Sequence, residues 1–263
     1  MKRAFIDIKE GQVHYRFEGS GAPLLLLHQT AWSSEEYSRL IPLLAKSYWV
    51  IAMDTLGYGA SDHSPREYEI PDYAKSVARF LDALRIERTN VFGHHTGSLI
   101  GVELAAAYPK RVEKLIVSGC LAFKTAEERL SLLNDDNFKS IKIDPYGCHF
   151  LKIWHMLRGA DCEVPLDVLE NCVENFIKAG VRGMEGFWAA FRYDTRARLP
   201  LIRCPTLAIS GTKDVSIDHL DEIKSLVKRC CKMTIEGSGV FGCQTHPHAF
   251  AKAIREFLTV PSV

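Results

Sequence analysis

Apolar and polar positions alternate at residues 5–8 and again at residues 13–17, with Gly11 between them. A period of two around a glycine predicts an antiparallel hairpin. The next apolar stretches, residues 24–27 and 48–53, are continuous rather than alternating, as in strands covered on both faces. A helical period occupies residues 34–45 between them. Further along, the pattern predicts a helix over 72–84, a strand over 89–92, a helix over 98–107 and a strand over 112–117. Near the end come a strand over 206–209, a helix over 218–228, a strand over 232–235 and a helix over 247–258 that starts on Pro247, a residue favoured in first turns. Strands alternating with helices predict an α/β fold: a mostly parallel sheet with helices on both faces.

Residues 121–198 break this rhythm. They read as mostly helical and carry Trp154, Phe187, Trp188 and Phe191. We read them as a helical lid inserted into a single domain whose core is 1–120 and 199–263. The lid lies over the carboxyl edge of the sheet, where open α/β folds bind ligands. Any one of these aromatics is first of all packing, and Trp154 and Trp188 are the candidates for the pocket wall.

Composition narrows the function classes. In 263 residues, 47% are hydrophobic and 25% charged, with 33 basic against 32 acidic side chains and a net charge of +1. That is ordinary for a globular domain and gives no basic surface for nucleic acid or a membrane. Charges interrupt residues 1–10 before any signal-like apolar run, so the expectation is a cytoplasmic protein. The eight cysteines include no C-x-x-C pair and are read as reduced thiols, with no zinc site built from cysteine alone. No cofactor motif is present; the expected partner is a small molecule, and a homodimer is left open.

The most informative segment is Gly93-His94-His95-Thr96-Gly97, between a strand and a helix. Two glycines flanking such a turn permit a tight bend that lifts the central side chain above the sheet. With this elbow, the chain resembles the α/β-hydrolase family over nearly its whole length. Leu27-His28-Gln29 matches the oxyanion loop, residues 54–62 match the Asp-x-x-Gly-x-Gly-x-Ser segment, and residues 207–214 match the strand end that bears the acid. Carried over position by position, the nucleophile slot holds His95 in place of serine and the acid slot holds Asp214. The histidine slot, in Gly237-Ser238-Gly239-Val240, holds Val240. Valine takes up no proton, so a serine at the elbow would lack its base.

The resemblance implies an oxyanion hole from the amides of Gln29 and Thr96, and a pocket bounded by His28, Trp154, Trp188 and Val240. Ser98 should point away from the elbow, and His246 and His248 lie beyond the slot. His94 reads as structural. At a helix N-terminus His95 should be neutral and able to accept a proton. Its direct contact with Asp214 is not expected, because the family's histidine lies between those two positions. No spacing of His28, His94, His95, His149 and His155 matches a metal-ligand pattern. Three readings follow: an enzyme that uses His95 as base or nucleophile on a small carbonyl, ester or lactone compound; a non-catalytic binder of such a compound on a degenerate hydrolase fold; and lyase or decarboxylase-type chemistry, or ordinary esterase chemistry through a non-standard triad.

Overall fold

The computed structural model describes residues 1–260. The hairpin forms as β1 (Lys2–Ile8) and β2 (Gly11–Glu18), and Gly11 adopts a positive φ at the start of the second strand. The remaining strands are β3 (Pro23–Leu27), β4 (Trp49–Met53), β5 (Thr89–His94), β6 (Val112–Ser118), β7 (Thr206–Gly211) and β8 (Cys230–Ile235). They form one eight-stranded sheet in the order β1-β2-β4-β3-β5-β6-β7-β8. β2 pairs antiparallel with β1 and β4, and every later pairing is parallel.

The continuous apolar runs are explained by two cores. Alternate residues of each central strand point to opposite faces. Leu25, Leu27, Ile51, Met53, Val91 and Leu115 enter one core with the helices Ile70–Ala83 and Thr96–Ala107. Leu24, Leu26, Val50, Ala52, Phe92 and Ile116 enter the other, under the helix Pro247–Thr259. The segment between β6 and β7 is mostly helical, with long helices at Cys148–Ala160, Leu166–Ala179 and Glu185–Arg192. No helix among the described residues is long and apolar enough to cross a membrane.

Two expected helices divide. Residues 34–45 form a 3-10 turn at Ser34–Tyr37, capped by the Ser33 hydroxyl, and then a short helix Ile41–Leu44. Pro42 suits the start of that second helix and cannot donate in the middle of a longer one. Residues 218–228 likewise split into Ile217–His219 and Leu220–Leu226.

Close approach of backbones sets the elbow. A Cβ at Gly97 would lie 1.9 Å from the carbonyl oxygen of Leu27 in β3, and one at Gly93 would lie 2.2 Å from that of Gly97. At Gly101, one turn further along the helix, the nearest atom is the movable Leu115 Cδ1 at 3.1 Å. Gly97→Ala should therefore lower unfolding stability by about 2 kcal/mol or more. Gly101→Ala should stay within about 1 kcal/mol of the parent, because helix propensity offsets the contact. Urea denaturation of both variants checks the contrast.

Candidate active site

The carboxyl ends of β3, β5, β6 and β7 meet at one edge of the sheet. His95 follows β5 with φ 45° and ψ −112°, a conformation rare for a side chain larger than glycine, and caps the helix Thr96–Ala107. Its amide is held by the Ser118 carbonyl at 2.8 Å, and its own carbonyl accepts from Ser98 Oγ at 2.6 Å, so Ser98 serves the turn rather than the pocket. Gly119, also at positive φ, leaves room for the imidazole: a Cβ there would lie 2.6 Å from His95 Nε2. The strain of the elbow is thus held on both sides, as such strain must be to persist.

The side chain of His95 reaches Asp214. Its Nε2–H donates to Asp214 Oδ2 at 3.0 Å, while Asp214 Oδ1 accepts the Ser216 amide at 2.8 Å. The expectation that these two do not touch is corrected. An imidazole is longer than a serine hydroxymethyl, and Val240 places no side chain between it and the acid that would hold them apart. The downward push expected from the helix N-terminus does not set the direction of the His95 titration. Burial pulls its pKa down, but the Asp214 charge and hydrogen bond, with Glu36 adding, outweigh it and raise the value above 6.5. For Asp214, burial pushes upward and is overcome by His95 and the Ser216 amide, so its carboxyl titrates below the usual carboxylate range. His95 Nδ1 has no hydrogen-bond partner among the described residues.

A second buried network lies behind this pair. Glu36 is fully buried and accepts from Gln29 N–H at 2.9 Å and Gln29 Nε2 at 3.0 Å. Gln29 Nε2 also donates to the Val240 carbonyl at 3.3 Å, and His94 Nε2 donates to the same carbonyl at 3.0 Å. Because His94 Nε2 bears the hydrogen, His94 Nδ1 accepts from Ser118 Oγ at 3.0 Å. This serine–histidine contact does not restore a triad. Ser118 is buried behind the elbow and does not line the cavity, and burial together with the neighbouring His95 charge holds His94 down to about 3. Burial pushes Glu36 up to about 8, against the hydrogen bonds from Gln29.

Glu36, His94 and Cys243 bring ligand-type atoms within 4.8 Å of one another. A cation there would face the Gln29 amide hydrogens and compete with the Val240 carbonyl for His94, so the donor set does not fit a metal in this arrangement.

The cavity over the elbow has a volume of about 390 Å³, and Gln29, His95, Thr96 and Val240 line it. Three expected wall residues do not. His28 is turned into the loop: its Nδ1–H donates to the Gln29 carbonyl at 2.8 Å, and Nε2 accepts from Thr55 N at 3.0 Å. Trp188 Nε1 donates to the Phe138 carbonyl at 2.7 Å, which props up a residue that does line the cavity. Trp154 is half-buried and packs against the main core. The Gln29 amide, expected as an oxyanion donor, is already engaged with Glu36. The next amide, Thr30 N–H, has no protein acceptor among the described residues, and Thr30 lines the cavity. Thr96 N–H, first in its helix, has no carbonyl within the helix to bond. Reading residues 27–29 alone missed Thr30, and nothing in the spacing marked Glu36.

A family model for the alpha/beta hydrolase fold matches residues 22–242. The chain belongs to this family. An uncharacterized protein of Mycobacterium tuberculosis is 34% identical over 103 residues, which are 39% of this chain but only 30% of that protein. The (E)-2-((N-methylformamido)methylene)succinate hydrolase of Acinetobacter baylyi is 25% identical over 215 residues, 76% of each chain. Among solved structures, the enol-lactonase of Burkholderia xenovorans LB400 superposes with a TM-score of 0.81 at 23% identity, covering 97% of this chain and 100% of that one. At that identity the likeness is one of fold.

Two titrations follow from this geometry. Replacing Asp214 with asparagine leaves burial to dominate, so the His95 ring should titrate below 6.5 in the variant and above it in the parent; histidine-ring NMR against pH checks the sign. Glu36 binds its proton more tightly folded than unfolded, so its stabilising contribution is full below its unfolded value near 4.5 and is lost as pH rises toward 8. Glu36→Gln should therefore gain stability relative to the parent between pH 4.5 and 8. The slope, not the constant offset from the altered hydrogen bonds, is the quantity read from denaturation at several pH values.

Proposed function

We propose that this protein is a hydrolase of a small carbonyl compound, an ester or lactone, that uses His95 as a general base in place of a serine nucleophile. The observation that carries the reading is the His95–Asp214 hydrogen bond of 3.0 Å, which leaves His95 Nδ1 without a protein partner at the floor of a cavity. In this reading Nδ1 takes a proton from a water as that water attacks the carbonyl carbon. Asp214 stabilises the imidazolium through Nε2–H, the arrangement that makes a paired histidine an effective base. The amides of Thr30 and Thr96 are the donors available to the oxygen that becomes negative. The proton then passes from His95 to the departing alkoxide, and the site returns to its starting state. The family membership and the relatives named as hydrolases support a hydrolytic reading.

The loss of both serine and histidine favours a second reading, a protein that binds such a compound without turning it over. A panel of aryl esters and lactones separates the two. His95→Ala should lower kcat/KM by about 10² to 10⁴, the usual contribution of a general base. The parent's rate should rise with pH with a midpoint above 6.5, because the base must first lose its proton, and Asp214→Asn should move that midpoint down. Equal turnover by the His95→Ala variant overturns the catalytic role. Ligand-raised melting temperature with no product from any compound favours the binder.

A further inference from the structure

The cavity is divided by chemistry. Its floor is polar, with His95, Thr96, Thr30 and Gln29. One wall, contributed by the segment between β6 and β7, is aromatic. Phe138 sits against Phe187 with ring centroids 5.3 Å apart and against Phe191 at 4.7 Å, the latter edge to face, and all three rings line the cavity. Two hydrogen bonds hold this cluster from behind. The Phe138 carbonyl accepts from Trp188 Nε1, and the Phe191 carbonyl accepts from Arg129 at 2.8 Å. A wall pinned at its backbone presents its rings without having to reorganise, which favours a flat apolar partner.

No lysine, arginine, aspartate or glutamate is among the residues lining this cavity. The nearby cations are directed elsewhere: Arg129 bonds the Phe191 carbonyl and Arg158 bonds the Val164 carbonyl. The carboxyl groups closest behind the floor are those of Asp214, which is ionised, and Glu36, which burial keeps protonated up to about 8. Two histidines line the cavity: His95, whose charge when protonated is already paired with Asp214, and His155, at an exposed position on the helix Cys148–Ala160. A ligand carboxylate brought against the three rings would lose its water and meet no lysine or arginine in return.

We infer that the compound taken by this site is uncharged, with one carbonyl at the His95 floor and an aromatic or alkyl body against Phe138, Phe187 and Phe191. The inference deepens the reading of the site as one for a small carbonyl compound and rests on it for the placement of the carbonyl. It assigns specificity to the aromatic wall, and it sets anionic acyl compounds outside the range of this chain.

The test is binding, measured by calorimetry on the intact chain with two amides that resist hydrolysis. N-phenylbutanamide is neutral; the monoanilide of succinic acid carries a carboxylate at the far end of a similar acyl chain. The parent should bind the neutral amide at least tenfold more tightly. Phe187→Ala should weaken the neutral amide severalfold. Met156→Arg, at a half-buried lining position on the helix Cys148–Ala160, should narrow or reverse the preference by supplying a cation. Equal or tighter binding of the carboxylate by the parent overturns the assignment, and so does binding of neither amide. Because no turnover is read, a chain that binds the neutral amide yet hydrolyses no ester overturns the function proposed above and leaves this assignment standing.

Discussion

The hydrogen bond between His95 and Asp214 joins two strands that are not neighbours in the sheet, and the local architecture serves that contact. β5 delivers His95 and β7 leads to Asp214, with β6 between them. For the imidazole to cross β6, the residue after that strand must have no side chain, which Gly119 satisfies. For His95 to stand above the sheet, the chain must turn at positive φ and then pass within contact of Leu27, which Gly93 and Gly97 allow. The Asp214 carboxylate in turn needs a second donor on its other oxygen, and the Ser216 amide provides it. A buried carboxylate with a donor on each oxygen can stay ionised where an unpaired one would not.

The Val240 segment takes part in the site through its backbone. Val240 offers the site its backbone carbonyl, which accepts from both His94 Nε2 and Gln29 Nε2. Gln29 uses its main-chain and side-chain amides together to hold Glu36. This fixes His94 in one tautomer and keeps it neutral, so the two adjacent histidines have opposite tendencies: His94 is driven down by burial, and His95 is raised by its acid. Neighbouring titratable groups pushed apart in this way are a recurring mark of functional sites.

The helical segment between β6 and β7 contributes shape more than charge. It closes the cavity with the Phe138, Phe187 and Phe191 cluster and anchors its last turn to the central helix, where Glu103 accepts from Tyr193 at 2.7 Å and from Arg198 at 2.7 and 3.0 Å. Its tryptophans act indirectly, Trp188 by holding the backbone of Phe138.

The sequence by itself determined the layered sheet, because continuous apolar runs such as 24–27 demand cover on both faces and the two cores provide it. It also determined the elbow, since two glycines flanking the three residues between a strand and a helix permit a tight bend, and it determined that a histidine and not a serine occupies its central position. Only the tertiary structure decided what that histidine does. Whether His95 meets Asp214 depends on a reach across β6 that no spacing along the chain encodes, and its charge depends on the balance between burial and that one partner. The same holds for Gln29, whose amide looked free for a ligand until the fold placed Glu36 beside it. It holds as well for His28, Trp154 and Trp188, whose size marked them as pocket residues while their contacts turned them to other work. Local pattern governs backbone conformation within a few residues; the partner of a polar side chain is set by what distant segments bring within about 3 Å, and that is a property of the assembled fold.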